Sequence, residues 1–198
     1  VPMVWGAGFE VDDVLSRIPS GTRYLLGFNE PNFKVGQANL SAAEAAALWP
    51  MLEEVAAACS LEIVGPAVNY CGPASDCWDT DPFSYLDDFF AACSDCRVDY
   101  LAVHWYDCSG GGLEWFLEQA KVYGKPIWLT EFNCPGGDAA AQLAYMREAI
   151  PILEADPMVF RYAWLMARST VPDINLLASD GELTPLGREY VAQPPDCP

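Results

Sequence analysis

The 198-residue sequence predicts a parallel α/β fold, a sheet of strands running one way and covered by helices. Two observations carry that expectation. Six short apolar runs alternate with six stretches at helical spacing, and the runs are continuously apolar, as strands buried on both faces are. Residues suited to chemistry gather at the C-terminal ends of those runs: Trp5, Glu30, Asn69, His104 with Tyr106, Glu131 and Trp164. The second observation chooses between two architectures. A (β/α)8 barrel of the TIM type carries its active site at that end of its strands, whereas no run here is followed by the Gly-rich phosphate loop of a nucleotide-binding sheet. The expectation is therefore a barrel, and by the length prior a single catalytic domain over 1–198.

The elements follow in order. Residues 1–6 read as a strand, and 9–18 as a helix in which Val11, Val14, Leu15 and Ile18 recur on one side. Tyr24-Leu25-Leu26-Gly27-Phe28-Asn29 is a second strand, too brief for a helix and bounded by Gly21 and Pro31. Ser41-Ala42-Ala43-Glu44 is a capping-box signature for an alanine-rich helix to about Cys59, which Pro50 is expected to kink. A third strand covers 61–68, and Asp81-Pro82 supplies an N-cap and first-turn proline for a helix to about Cys93. The fourth strand is 98–106, followed by a helix over 113–123 closed by Gly124. The fifth is 126–132, with a helix over 138–154, and the sixth is 158–165. A long loop over 166–182 then leads to a last helix opened by Thr184-Pro185.

Composition narrows the partners. A net charge of -18, from 28 acidic and 10 basic residues, repels nucleic-acid phosphates and anionic membranes and leaves a neutral ligand such as a polysaccharide. No apolar stretch is long enough for a transmembrane helix, and no signal-peptide pattern opens the chain. Eight cysteines with a single histidine favour disulfides in an oxidising compartment over a Cys-His zinc site. A secreted protein, extracellular or in a cell wall, is expected, and a monomer. No metal or organic cofactor is implied.

Two strand ends deliver carboxylates: Glu30 in Asn-Glu-Pro-Asn and Glu131 in Leu-Thr-Glu-Phe-Asn. Two facing carboxylates are the minimal equipment of a glycoside hydrolase. The ordered set GFNEPN at 27–32, VHWYDC at 103–108, WLTEFNC at 128–134 and RYAWL at 161–165 resembles glycoside hydrolase family 128, β-1,3-glucanases of clan A; VPMVWG at 1–6 and LTPLGREY at 183–190 fit as well. The resemblance implies a retaining endo-β-1,3-glucanase with Glu30 as general acid/base and Glu131 as nucleophile. It also implies that Asn29 bonds the 2-hydroxyl of the sugar being cleaved, that Tyr106 holds Glu131, and that His104 lines the same wall. Retention asks for carboxyls about 5–5.5 Å apart, close enough that one keeps its proton, and Glu30 must be that one.

If Glu30 ends the family's fourth strand, residues 1–6 form its third, and the first two β/α units are absent from this chain. Cys71, Cys77, Cys108 and Cys134 follow strand ends, while Cys59, Cys93, Cys96 and Cys197 lie near helix ends. Two such groups allow nine pairings instead of about 105 for eight cysteines, with Cys71–Cys77 and Cys108–Cys134 favoured. Cys93-Ser94-Asp95-Cys96 also has the spacing of a redox or zinc motif.

Simpler readings stand beside these. His104 alone would be a buried core histidine, and Glu30 and Glu131 could be ion-paired structural acids. Trp5, Asn69 and Trp164 are expected to line the substrate, with Trp78, Tyr70 and Phe33 as loop platforms, while Trp115 and Trp128 are expected between helices and barrel. Two rival functions remain open. One is another clan A hydrolase acting on mannan or β-1,4-glucan; the other is a carbohydrate-binding protein without turnover.

Overall fold

The structure, a computed structural model, describes residues 1–192. It is an α/β fold of two compact units, one of residues 1–104 and 120–128, the other of 105–119 and 129 onward. The strand Leu101–Tyr106 (β3) and the strand Ile127–Asn133 (β4) each run from the first unit into the second. No described helix is long and apolar enough to cross a membrane.

In the first unit come α1 (Val11–Arg17), β1 (Tyr24–Leu26), α2 (Ala42–Cys59), β2 (Glu62–Val64) and α3 (Pro82–Ala92). The helix starts are those the caps announce. Ser41 and Glu44 form a reciprocal capping box on α2, and the Asp81 side chain accepts from the Phe83 N–H at the start of α3. Pro50 lies inside α2, and the helix continues through it.

β1 pairs parallel with β2 in the register Tyr24 to Glu62 and Leu26 to Val64. Parallel bridges between Val64 and Tyr100 and between Val68 and Val103 then link β2 to the β3 segment. The strand expected at residues 1–6 is reduced to one bridge, Met3 to Leu26, with the Val4 N–H donating to Leu26 O at 3.0 Å. Pro2, with no N–H, can only accept, which it does from Leu26 N at 2.9 Å. Pro66 likewise shortens the run expected over 61–68 to the three residues of β2. Gly27 has a packing reason: a Cβ there would lie 2.8 Å from the Trp49 ring and 3.0 Å from Val64 O.

That close approach seats Trp49, which is fully buried with edge contacts to Phe28 at 5.8 Å and Phe89 at 5.1 Å. A second cluster joins Tyr24, Val64, Ala67, Ala102 and Trp128. Trp128, expected between helices and barrel, instead packs on strand residues, its ring 5.2 Å from Tyr24. Trp115 is about half exposed.

The second unit holds most of α4 (Gly110–Ala120), the later part of β4, α5 (Ala139–Ala155), β5 (Val159–Trp164) and α6 (Pro185–Val191). A 3-10 turn at Lys121–Tyr123, in the first unit, ends on left-handed Gly124 as the sequence requires. The sheet order is β3-β4-β5, so the named strands form sheets of two and three strands. Gln142, fully buried on α5, brackets the residue after β4: it accepts from Cys134 N at 3.1 Å and donates to Cys134 O.

Three disulfides are present among the described residues, Cys71–Cys77, Cys93–Cys96 and Cys108–Cys134, which include both favoured pairs. Cys93-Ser94-Asp95-Cys96, the candidate redox or zinc motif, is thus itself a disulfide. Cys59 has no disulfide partner among the described residues, and Cys197 lies outside them. Cys108–Cys134 spans 26 residues of sequence, and a loop of that size implies a loss of about 3.5 kcal/mol when the bond is removed. Cys108→Ser with Cys134→Ser should lower the unfolding free energy by that order in denaturant titration. An unchanged midpoint would show that the cross-link contributes nothing.

Candidate active site

Glu30 is positioned by the backbone beyond β1. Gly27 N donates to Val64 O at 3.0 Å, Asn29 bridges Ala67, and Glu30 N donates to Ala67 O at 2.8 Å, so the chain stays paired up to the acid. Glu30 itself has φ of 42°, a left-handed conformation that costs a non-glycine residue about 1–3 kcal/mol. Its surroundings hold it there, since Phe33 N also donates to Glu30 O at 3.1 Å. The residue is 5% exposed. Its Oε1 accepts from Asn69 Nδ2 at 2.9 Å and lies 2.9 Å from His104 Nδ1. Both neighbours use one oxygen, which leaves Oε2 as the oxygen able to present a proton. No Lys or Arg pairs with Glu30 among the described residues; the basic side chain beside it is His104.

His104 is fully buried and its backbone N–H donates to Val68 O at 2.8 Å, which ties β3 to the segment carrying Asn69. Asn29 is 7% exposed, and its Nδ2 donates to Gln37 Oε1 at 3.0 Å. Trp5 is about half exposed and accepts the Asn29 N–H at 2.9 Å through its carbonyl. The first unit therefore brings Asn69 and His104 onto Glu30 and ties the Trp5 carbonyl to Asn29, its neighbour in the chain.

Two contributors escaped the sequence reading. Asn32, fully buried, donates through Nδ2 to Asn69 O at 2.8 Å and to Asp79 O at 3.2 Å, and so fastens the turn after Glu30 to the loop after β2. Gln37 holds the Asn29 amide. Asn32 stood in the Asn-Glu-Pro-Asn motif, but its partners are backbone carbonyls about forty residues away, which no local pattern announces. In that same loop, burial first, then the charges of Asp88 and Asp81, push the Asp79 carboxyl above its ordinary range.

The second unit carries Glu131 on β4, half-buried, with Tyr106 from the end of β3 donating its hydroxyl to Glu131 Oε2. Asn133 Nδ2 donates to Leu165 O at 2.9 Å, joining the ends of β4 and β5. Trp164 is 5% exposed, packs edge-on against Phe132 at 5.0 Å, and donates its indole N–H to Ile174 O at 2.9 Å. The ring is almost wholly packed away. Tyr106→Phe should lower kcat about ten-fold or more with little change in KM, since hydrogen bonds to charged groups are worth about 1.5–3 kcal/mol. Equal activity in the two proteins would remove Tyr106 from the site.

A protein-family model, the glycosyl hydrolase catalytic core, matches residues 1–190. A crystal structure of a glycoside hydrolase family 128 (subgroup II) endo-β-1,3-glucanase from Sorangium cellulosum is 48% identical, with a TM-score of 0.88 over 99% of this chain and 81% of that one. The chain belongs to glycoside hydrolase family 128. Within the family, a subgroup I endo-β-1,3-glucanase from Amycolatopsis mediterranei, crystallised with laminaritriose and laminaribiose, is 30% identical with a TM-score of 0.78, over 98% of this chain and 82% of that one. Alkali-sensitive linkage protein 1 of Schizosaccharomyces pombe is 30% identical over 193 residues, 89% of this chain. The family 128 chain spans 34% of that yeast protein's length.

Proposed function

We propose that this family 128 chain is a retaining hydrolase of β-1,3-glucan that cuts within the polymer. The observation that carries the reading is Glu30: a nearly buried carboxyl at a strand end, bonded on one oxygen by Asn69 and His104 and free of any Lys or Arg partner among the described residues. That environment suits a group that must carry a proton and release it to a leaving oxygen. Glu131 is the nucleophile. Its Oε2 takes the Tyr106 hydroxyl, which directs the other oxygen at the anomeric carbon. In the first step Glu131 forms a covalent glycosyl ester while Glu30 protonates the departing sugar oxygen. In the second, Glu30 takes a proton from water, whose oxygen displaces Glu131 and restores the starting configuration. Asn29 bonds the 2-hydroxyl, Asn69 and His104 set the Glu30 carboxyl, and Trp5 with Trp164 lines the sugar.

The architecture proposed is that of a (β/α)8 barrel, and residues 1–198 are read as a single catalytic domain, a reading supported by a family model that matches 1–190. Three disulfides support a secreted or cell-wall protein. The substrate assignment follows the β-1,3-glucanases it resembles, and the acidic surface suits a neutral polymer. The deciding experiment is product release from linear β-1,3-glucan beside β-1,4-glucan and mannan. Laminari-oligosaccharides from the first alone are expected. Cleavage of another polymer instead would replace the substrate, and binding without cleavage would make the chain a carbohydrate-binding protein.

A further inference from the structure

Trp78 is an exposed tryptophan held in place on several sides. It is 46% exposed and directly follows the loop closed by Cys71–Cys77. Its indole N–H donates to Asn39 Oδ1 at 3.1 Å. The Lys34 ammonium lies over the ring, 4.7 Å from its centroid, and pairs with Asp76 at 3.0 Å. The backbone is fixed as well. Phe33 bridges Cys77 in antiparallel fashion, Lys34 N donates to Asp76 O at 2.9 Å, and Trp78 N donates to Asn32 O at 2.8 Å. Asn32 is two residues past Glu30, so the ring stands on the same braced turn as the proposed acid.

A solvated tryptophan gains little by being rigid unless something is to be laid on it. Ordering the ring in advance removes an entropic cost of binding, and a pyranose presents an apolar C–H face suited to an aromatic plane. Lys34 covers one face by cation–π attraction, which leaves the opposite face for a sugar. We propose that Trp78 is a stacking platform for a glucan unit beyond the scissile bond, and that Lys34 and Asn39 are the positioning residues that preset it. The inference rests on the β-1,3-glucan reading and adds to it a source of chain-length preference that lies outside the carboxylates.

The test compares wild type with Trp78→Ala, Trp78→Phe and Lys34→Met on laminari-oligosaccharides of increasing length. Trp78→Ala should lose about ten-fold in kcat/KM on long substrates, almost all of it in KM, and less than two-fold on the shortest one cleaved. Trp78→Phe keeps a ring but loses the bond to Asn39; it and Lys34→Met should show smaller losses with the same dependence on length. Loss by an equal factor at every length, or no loss at any, would overturn the platform while leaving the glucanase assignment intact. Wild type silent on every oligosaccharide would overturn that assignment and the platform with it.

Discussion

Glu131→Ala should reduce turnover of β-1,3-glucan by roughly four orders of magnitude or more, on the scale seen when a hydrolase loses its nucleophile. The residue sits in mid-strand on β4, half-buried rather than in the core, so its removal takes away a charge and the Tyr106 contact without opening a core cavity. Circular dichroism and thermal unfolding should therefore match wild type within a few degrees. Laminari-oligosaccharides should still bind, since the stacking and hydroxyl contacts belong to other side chains. A sharper readout uses a small external nucleophile. With an activated aryl glycoside and azide, the variant should form the glycosyl azide of inverted configuration, because azide takes the place of the missing carboxylate and only one displacement occurs. Near-normal hydrolysis by Glu131→Ala would remove it from the mechanism altogether.

Glu30→Gln should cost about 10²–10⁴-fold on unactivated glucan, the usual contribution of a general acid or base. Gln fills the same volume, and its oxygen can still accept from Asn69 Nδ2 as Glu30 Oε1 does, so the fold around the turn persists. Only the proton is lost. A substrate whose leaving group needs no protonation should therefore pass the first step nearly unimpaired and accumulate as the covalent ester on Glu131, visible as a mass increase on intact protein. An equal fall on activated and unactivated substrates would argue that Glu30 supports the structure instead. The two variants thus separate: one blocks ester formation, the other permits it and slows hydrolysis of the ester.

Much of this was legible in the chain. The helix starts at Ala42, Pro82 and Pro185 were announced by Ser41, Asp81 and Thr184, because a cap is a local contact between residues two or three apart. Strand extents were less legible. Residues 1–6 and 61–68 were read as full strands from apolar content, yet Pro2 and Pro66 withdraw N–H donors and leave one bridge and a three-residue strand. Apolar content reports burial, whereas a ladder needs a donor at each step. Trp128 was misplaced for a related reason: hydrophobicity says that a ring is buried but not against which neighbours.

The sequence by itself determined the α/β class, the order of the helices, the short Cys71–Cys77 disulfide and the carboxylates themselves, since these depend on residue type and near neighbours. Tertiary structure alone decided that Asn69 and His104 converge on one oxygen of Glu30, that Asn32 and Gln37 fasten the turn and the amide beside it, that the Trp164 ring is mostly packed away, and that Lys34 covers Trp78. Most of those contacts join residues far apart in the chain. Their partners are set by strand register and loop closure, quantities that exist only once the backbone has folded.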